Sequence, residues 1–244
     1  YIVDRCVYAE RKETEMSKAP IKNTPDPIEG TLRKFSLKVP EVIREASGIV
    51  VFGKRIKSLV FSTDLCIIKN VNADAVIAVY PFTPQPIITQ AILMAADIPV
   101  FVGVGGGLTK GKRVVNLANY AEMQGAMGVV VNAPTENEVI AKVSATIDIP
   151  VVTTVVRADT DFAARIEAGT AIFNVSAAKY TADIVRDIRK QFPKVPIIAT
   201  GGPTDETILE TIEAGANAIT WTPPSNGEVF KEIMEAYRNN EAHP

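Results

Sequence analysis

Residues Gly103 to Arg113 read GVGGGLTKGKR, glycines followed by cations, a pairing suited to holding an anion. Glycine adopts conformations closed to other residues and lets a backbone come close to a ligand, while Lys110, Lys112 and Arg113 add positive charge. From Gly106 the wording, GGLTKGKR, nearly matches the G-x-x-x-x-G-K-[ST] loop by which nucleotide hydrolases cradle phosphates. It breaks at Arg113, where a hydroxyl would have to reach magnesium. What remains is a receptor for a small anion made by Gly105, Gly106, Gly107, Lys110 and Lys112.

Other residues have the types needed for proton transfer and charge stabilisation. Asp64, in VFSTD, is a candidate general base; its alternative role is the N-cap of LCIIKN. Asn132 and Asn174 can donate to a substrate carbonyl or enolate oxygen without changing charge, and asparagine also suits turn backbones. Arg157 can fork onto a phosphate or carboxylate. Asp159 and Asp161, in RADTDF, offer oxygens to a divalent cation or, with Thr160, open a helix; no other cofactor is expected. Tyr80 and Trp221 read as ligand walls or as packing.

Composition removes several classes of chemistry. The single histidine, His243, stands beside the C-terminus, so a histidine base, triad or zinc site is not expected. Two cysteines, Cys6 and Cys66, make no disulfide framework, and a reducing, cytoplasmic setting follows. A formal net charge of -2 gives no electrostatic reason for a nucleic-acid or anionic membrane partner, and no apolar run approaches the ~20 residues that span a bilayer. The expected partner is a small anionic metabolite.

These residues must be positioned by regular elements. Strand-like apolar runs occur at 58–62, 75–80, 99–104, 128–132, 150–155, 171–175, 196–200 and 217–221, separated by helical segments such as QPIITQAILMAAD and YTADIVRDIRKQF. Capping boxes are expected at Thr135–Glu138 and Ser225–Glu228. The third, fifth and seventh strands are entered through DIPVFV, DIPVVT and KVPIIA. The fourth, sixth and eighth follow Gly125, Gly169 and Gly215, which suit helix C-caps. A two-unit repeat of this regularity argues for closure, and unbroken apolar strands fit a sheet covered by helices. The expected fold is a single α/β (β/α)8 TIM barrel over 39–244, its repeats running from about residue 56, with residues 1–38 as an N-terminal arm or peripheral segment. A doubly wound open sheet is the alternative. The arm has little of its own to bury, which suggests a homo-oligomer.

In such a barrel chemistry sits on the loops that follow the strands. There VPIIATGGPTDETILETIEAGANAIT, residues 195–220, resembles the seventh and eighth units of the phosphate-binding (β/α)8 enzymes, among them N-acetylmannosamine-6-phosphate epimerases, keto-deoxy-phosphogluconate aldolases and thiamine-phosphate synthases. The resemblance implies an anion site at Thr200, Gly201 and Gly202, completed after the eighth strand near Ser225. Pro223 and Pro224 depart from that pattern by removing N–H donors. The sixth strand carries Phe173-Asn174-Val175 rather than a Schiff-base lysine. Glycerol-responsive antiterminators, which bind ligand without turnover, are a second resemblance.

The expectation is therefore an enzyme of isomerase or lyase type on an anionic, phosphorylated metabolite. The alternatives are a non-catalytic ligand-sensing barrel and a hydrolase.

Overall fold

The computed structural model describes residues 35–243 together with 23–26, 28 and 30. A short hairpin of β1 (Ile49–Val51) and β2 (Lys54–Ile56) precedes a closed parallel barrel. The barrel strands are β3 (Ser58–Phe61), β4 (Ala75–Ala78), β5 (Val100–Gly105), β6 (Gly128–Val131), β7 (Val151–Val155), β8 (Ile172–Val175), β9 (Ile197–Thr200) and β10 (Ala218–Trp221). Between and after them run α1 (Leu65–Lys69), α2 (Pro86–Ala95), α3 (Lys112–Met123), α4 (Asn137–Ser144), α5 (Phe162–Glu167), α6 (Thr181–Gln191), α7 (Asp205–Glu213) and α8 (Asn226–Arg238). β10 pairs with β3, which closes the ring and excludes the open sheet.

Alternate side chains along each strand go to two separate cores. Val60, Val76, Val102, Val129, Phe173 and Ile219 join the outer cluster with helix residues such as Val114, Ile140 and Ile188. Leu59, Ala75, Ile77, Phe101, Val130, Val152, Ile172, Ile198 and Ala218 join the inner one. The pairing registers group the inward positions into layers drawn from alternate strands, as in barrels of this class. From the N-terminal end they are Ala75, Gly128, Ile172 and Ala218; then Leu59, Phe101, Val152 and Ile198; then Ile77, Val130, Asn174 and Thr220; then Phe61, Gly103, Thr154 and Thr200. Ile49, Val51 and Ile56 pack into the same inner cluster, so the hairpin plugs the N-terminal end and leaves the other end as the mouth.

The barrel unit begins at Phe35. Leu37 bridges Val71, with Leu37 N donating to Asn70 O at 2.8 Å and Asn72 N to Leu37 O at 3.1 Å. The last residues of the arm expected over 1–38 thus pack with the barrel, and the rest of that expectation falls almost wholly outside the described residues.

Local departures have local causes. The capping box at Thr135–Glu138 is absent: α4 is capped at Glu136 without a side-chain bond, and Thr135 Oγ1 is buried without a partner. The box at Ser225–Glu228 forms, and Thr204 forms one with Thr207 on α7. Gly125, Gly169 and Gly215 end their helices with the expected closing bonds, such as Ala126 N to Ala121 O at 3.0 Å.

Candidate active site

The mouth is shaped first by the irregular end of β5. The β5–β6 register shifts between Gly103 and Gly105, a bulge of the kind that re-aims a chain beside a site. Gly103 faces inward in the layer nearest the mouth and brings no side chain, so space continues down to it. Gly105 is turned outward, where a Cβ would lie 2.7 Å from Val114 of α3. Gly106 holds φ 114°, and a Cβ there would lie 2.4 Å from the Asn132 Cβ. Gly106 N donates to Thr109 O at 3.0 Å and Asn132 N to Gly105 O at 2.9 Å, which lashes the loop to the end of β6. The close approach these two glycines allow is thus to the protein itself. Lys112 and Arg113 open α3, so both cations sit at a helix N-terminus that favours negative charge.

A cavity of about 290 Å³ lies between this loop and the one after β4, lined by Tyr80 to Pro84, Gly103, Gly105 to Thr109 and Asn132. A wider bowl of about 700 Å³ adjoins it, lined by Phe61 to Asp64, Thr222 to Asn226 and Glu228. Val79, Tyr80, Pro81 and Asn132 line both, so these residues are the shared wall. Tyr80 is fixed there because its hydroxyl accepts from Gln85 N at 2.9 Å. Phe82, 75% exposed, and Leu108, 98% exposed, stand on the two lips of the smaller cavity.

Asp64 reaches the bowl but is also the N-cap of α1. Its Oδ1 accepts from Cys66 N at 2.8 Å and Ile67 N at 3.3 Å, while Ser62 Oγ accepts from Asp64 N at 3.1 Å. Both cap bonds go to Oδ1, leaving Oδ2 for other partners. Ser225 is committed to α8, since its Oγ and N both lie 2.7 Å from Glu228 Oε2. Those bonds hold the Glu228 carboxyl below its ordinary range.

The remaining candidates are elsewhere. Asn174 is buried one layer below the mouth. Arg157 points along its own loop and pairs with Asp159 at 2.9 Å, a hydrogen bond that keeps the Asp159 carboxyl below its usual range. Asp161 caps α5 by accepting from Ala164 N at 2.9 Å. Among the described residues no group of three or more His, Cys, Asp and Glu gathers as a metal site would need. Lys110 lines a narrow crevice with Gly106 and Gly107, apart from the two chambers.

Gly201 and Gly202 have close-packing reasons of their own. A Cβ on Gly201 would lie 2.7 Å from Ile208 Cγ1, and one on Gly202 2.6 Å from Thr207 Oγ1. The N-terminus of α7 also carries its own carboxylates, Asp205 and Glu206. Glu206 is held below its ordinary range by its own backbone N–H and by Thr204. Neither glycine lines the two chambers.

The structure therefore brings together Asp64, Asn132, Gly105, Gly106, Gly107 and Ser225, and leaves Asn174, Arg157, Gly201 and Gly202 outside the chambers. It adds a residue the sequence did not single out. Arg165 donates to Thr135 O and to Ala133 O, the latter at 2.9 Å, and so fastens the loop following Asn132. On α5 it has only the look of an ordinary helix cation, and burial lowers its pKa.

No family model matches the chain, and no curated protein matches it in sequence. Solved structures share its fold. A 2,3-dimethylmalate lyase of the PEP mutase/isocitrate lyase superfamily aligns at 11% identity and a TM-score of 0.57, covering 81% of this chain and 82% of its own. A phosphonopyruvate hydrolase complexed with oxalate and magnesium aligns at 14% identity and a TM-score of 0.56, covering 82% and 87%. A dihydrodipicolinate synthase of Bacillus anthracis aligns at 14% identity and a TM-score of 0.55, covering 79% and 77%. These likenesses establish the (β/α)8 barrel; the epimerase, aldolase and thiamine-phosphate synthase types suggested by residues 195–220 are a finer statement that they do not reach. Among the described residues no helix is long and apolar enough to cross a membrane.

Proposed function

We propose that the chain is an enzyme acting on a small anionic metabolite by lyase or isomerase chemistry in the paired chambers at the barrel mouth. The observation that carries this reading is the shared wall: Asn132 faces both the glycine-loop cavity and the bowl that holds Asp64. A substrate lying across that wall would place its anionic group against the backbone of the Gly106–Lys110 loop and its reacting carbon toward Asp64. Asp64 Oδ2 then takes the proton. The Asn132 amide donates to the oxygen on which negative charge develops, a stabilisation that needs no change in its own charge. A lyase, a hydrolase and a synthase among the similar folds support anion chemistry of this kind.

A phosphorylated metabolite is the finer reading, supported by the Gly201-Gly202 wording. The packing of that glycine pair and the carboxylates already on α7 make the Gly106–Lys110 loop the better grip. The phosphonopyruvate hydrolase complex holds magnesium, and a divalent cation in this chain would need carboxylates gathered at the mouth. The donors do not form a protein-built cage here, because among the described residues no three of His, Cys, Asp and Glu gather at one point, and Asp159 is paired with Arg157.

The capping role of Asp64 favours a second reading, a ligand-sensing barrel without turnover. Thermal-shift screening with small carboxylates and phosphate esters at millimolar concentration tests both, since a ligand bound by the native state must raise its apparent stability. Stabilisation with turnover supports the enzyme, stabilisation without turnover the sensor, and no stabilisation by any anion removes both.

A further inference from the structure

The inner wall of the mouth is divided by chemistry. In the layer of Ile77, Val130, Asn174 and Thr220, the apolar pair comes from β4 and β6 and the polar pair from β8 and β10. One layer nearer the mouth, Phe61 and Gly103 again come from the first half of the barrel, and Thr154 and Thr200 from the second. One side of the deep mouth is hydrocarbon; the other is hydroxyl and amide, without a charge.

Two atoms on the polar side lack any partner. Asn174 is 8% exposed and Thr220 7% exposed, and neither Asn174 Oδ1 nor Thr220 Oγ1 makes a hydrogen bond. The Asn174 amide nitrogen reaches only Thr154 Oγ1, at 3.4 Å, so whichever way the amide is turned one end stays unmet. Thr200 is no help, because its hydroxyl donates to Ser176 Oγ at 3.2 Å. Buried polar atoms without partners are few in folded proteins, and each needs an explanation. Here two fall in one inward layer, flanking the same strand, β9. Packing alone would have been served by apolar side chains such as Ile172 and Ala218, which stand two residues below them on the same strands.

We propose that the β8–β10 wall is a subsite for an uncharged, hydroxyl-bearing end of the ligand. A ligand hydroxyl donates to Asn174 Oδ1 and accepts from the Thr220 hydroxyl, satisfying both orphaned atoms in one contact. Thr200 lies between them one layer nearer the mouth, so a ligand that reaches both atoms passes beside it. The ligand class is thereby narrowed to hydroxylated small acids, whose charged group stays near the Gly106–Lys110 loop. The charged half of this statement rests on the function proposed above; the hydroxyl subsite does not.

The test is calorimetric binding to the full chain with matched probes: succinate, malate and tartrate, and the neutral polyol erythritol. Malate or tartrate is expected to bind at least about ten-fold more tightly than succinate, because a site built around unmet polar groups rejects a probe that leaves them unmet. Thr220→Val and Asn174→Leu should reduce that preference to near unity, Thr220→Ser should retain it, and Thr220→Val should melt no lower than wild type when unliganded. Equal binding of succinate and malate overturns the subsite while leaving the anion reading intact. Binding of erythritol with no acid bound supports the subsite and removes the anion reading. A preference unchanged in folded Thr220→Val and Asn174→Leu, or no binding of any hydroxylated probe, overturns the proposal.

Discussion

Gly106 lies against Asn132 so closely that a methyl group on the glycine would come within 2.4 Å of the asparagine Cβ. The two residues immediately follow neighbouring strands, and their contact sets the distance between the anion-suited loop and the shared wall of the two chambers. The glycine is required by its neighbour before any ligand arrives.

Gly106→Ala is therefore expected to lower stability by roughly 2–4 kcal/mol, from overpacking together with strain at φ 114°. Gly107→Ala meets nothing within 4 Å and should cost only about 1–2 kcal/mol through its left-handed backbone. Urea unfolding of the two variants side by side measures the difference, and equal losses would contradict this account of the loop.

Asp64 serves a helix and is proposed to serve a substrate, and one substitution separates the roles. Asparagine caps helices about as well as aspartate, so Asp64→Asn should hold stability within about 0.5 kcal/mol while abolishing turnover. Asp64→Ala should lose both, with about 1 kcal/mol of stability gone. Melting curves and turnover on any substrate found by screening give the answer; an active Asp64→Asn enzyme would exclude Asp64 as the base.

Arg165 holds the Ala133 and Thr135 carbonyls, and Asn132 begins that loop. Arg165→Met should cost about 1–3 kcal/mol, since it frees two part-buried acceptors. It should also weaken ligand binding more than Arg157→Met does, because Arg157 pairs only with Asp159 outside the chambers. Calorimetry on the two variants compares them.

The Ser225–Glu228 box carries a pH signature. Because hydrogen bonds from Ser225 lower the folded pKa of Glu228 beneath its ordinary value near 4.5, the box stabilises fully above that value. Its contribution is lost as pH falls through the lower folded value. Glu228→Gln should thus melt below wild type at about pH 6, with the gap closing toward about pH 3. A gap that widens on acidification would reverse the assignment.

Much of this molecule was legible in its residues. Eight apolar runs with proline entries and helix-ending glycines specify strands, helices and their alternation, because those signals are local: a proline lacks an N–H and a glycine tolerates a left-handed cap wherever they stand. Closure followed from the repeat. The rim residues followed from the rule that strand ends carry the chemistry.

Tertiary structure decided which of those rim residues meet. The glycines at 105, 106, 201 and 202 read as ligand contacts, and folding gives their missing Cβ atoms a further role, making room for Val114, Asn132, Ile208 and Thr207. Asn132 and Asn174 end equivalent strands in the sequence, but one lines the chambers and the other lies beneath them with an unmet oxygen. Register makes that difference, because Asn174 stands level with Val130 and Asn132 therefore lies two residues nearer the mouth. Each inward layer is assembled from four alternate strands, so a residue's height in the barrel depends on registers set by all its neighbours and on the bulge at Gly103–Gly105. Local sequence determined the elements of this barrel; only their closure determined which side chains share its mouth.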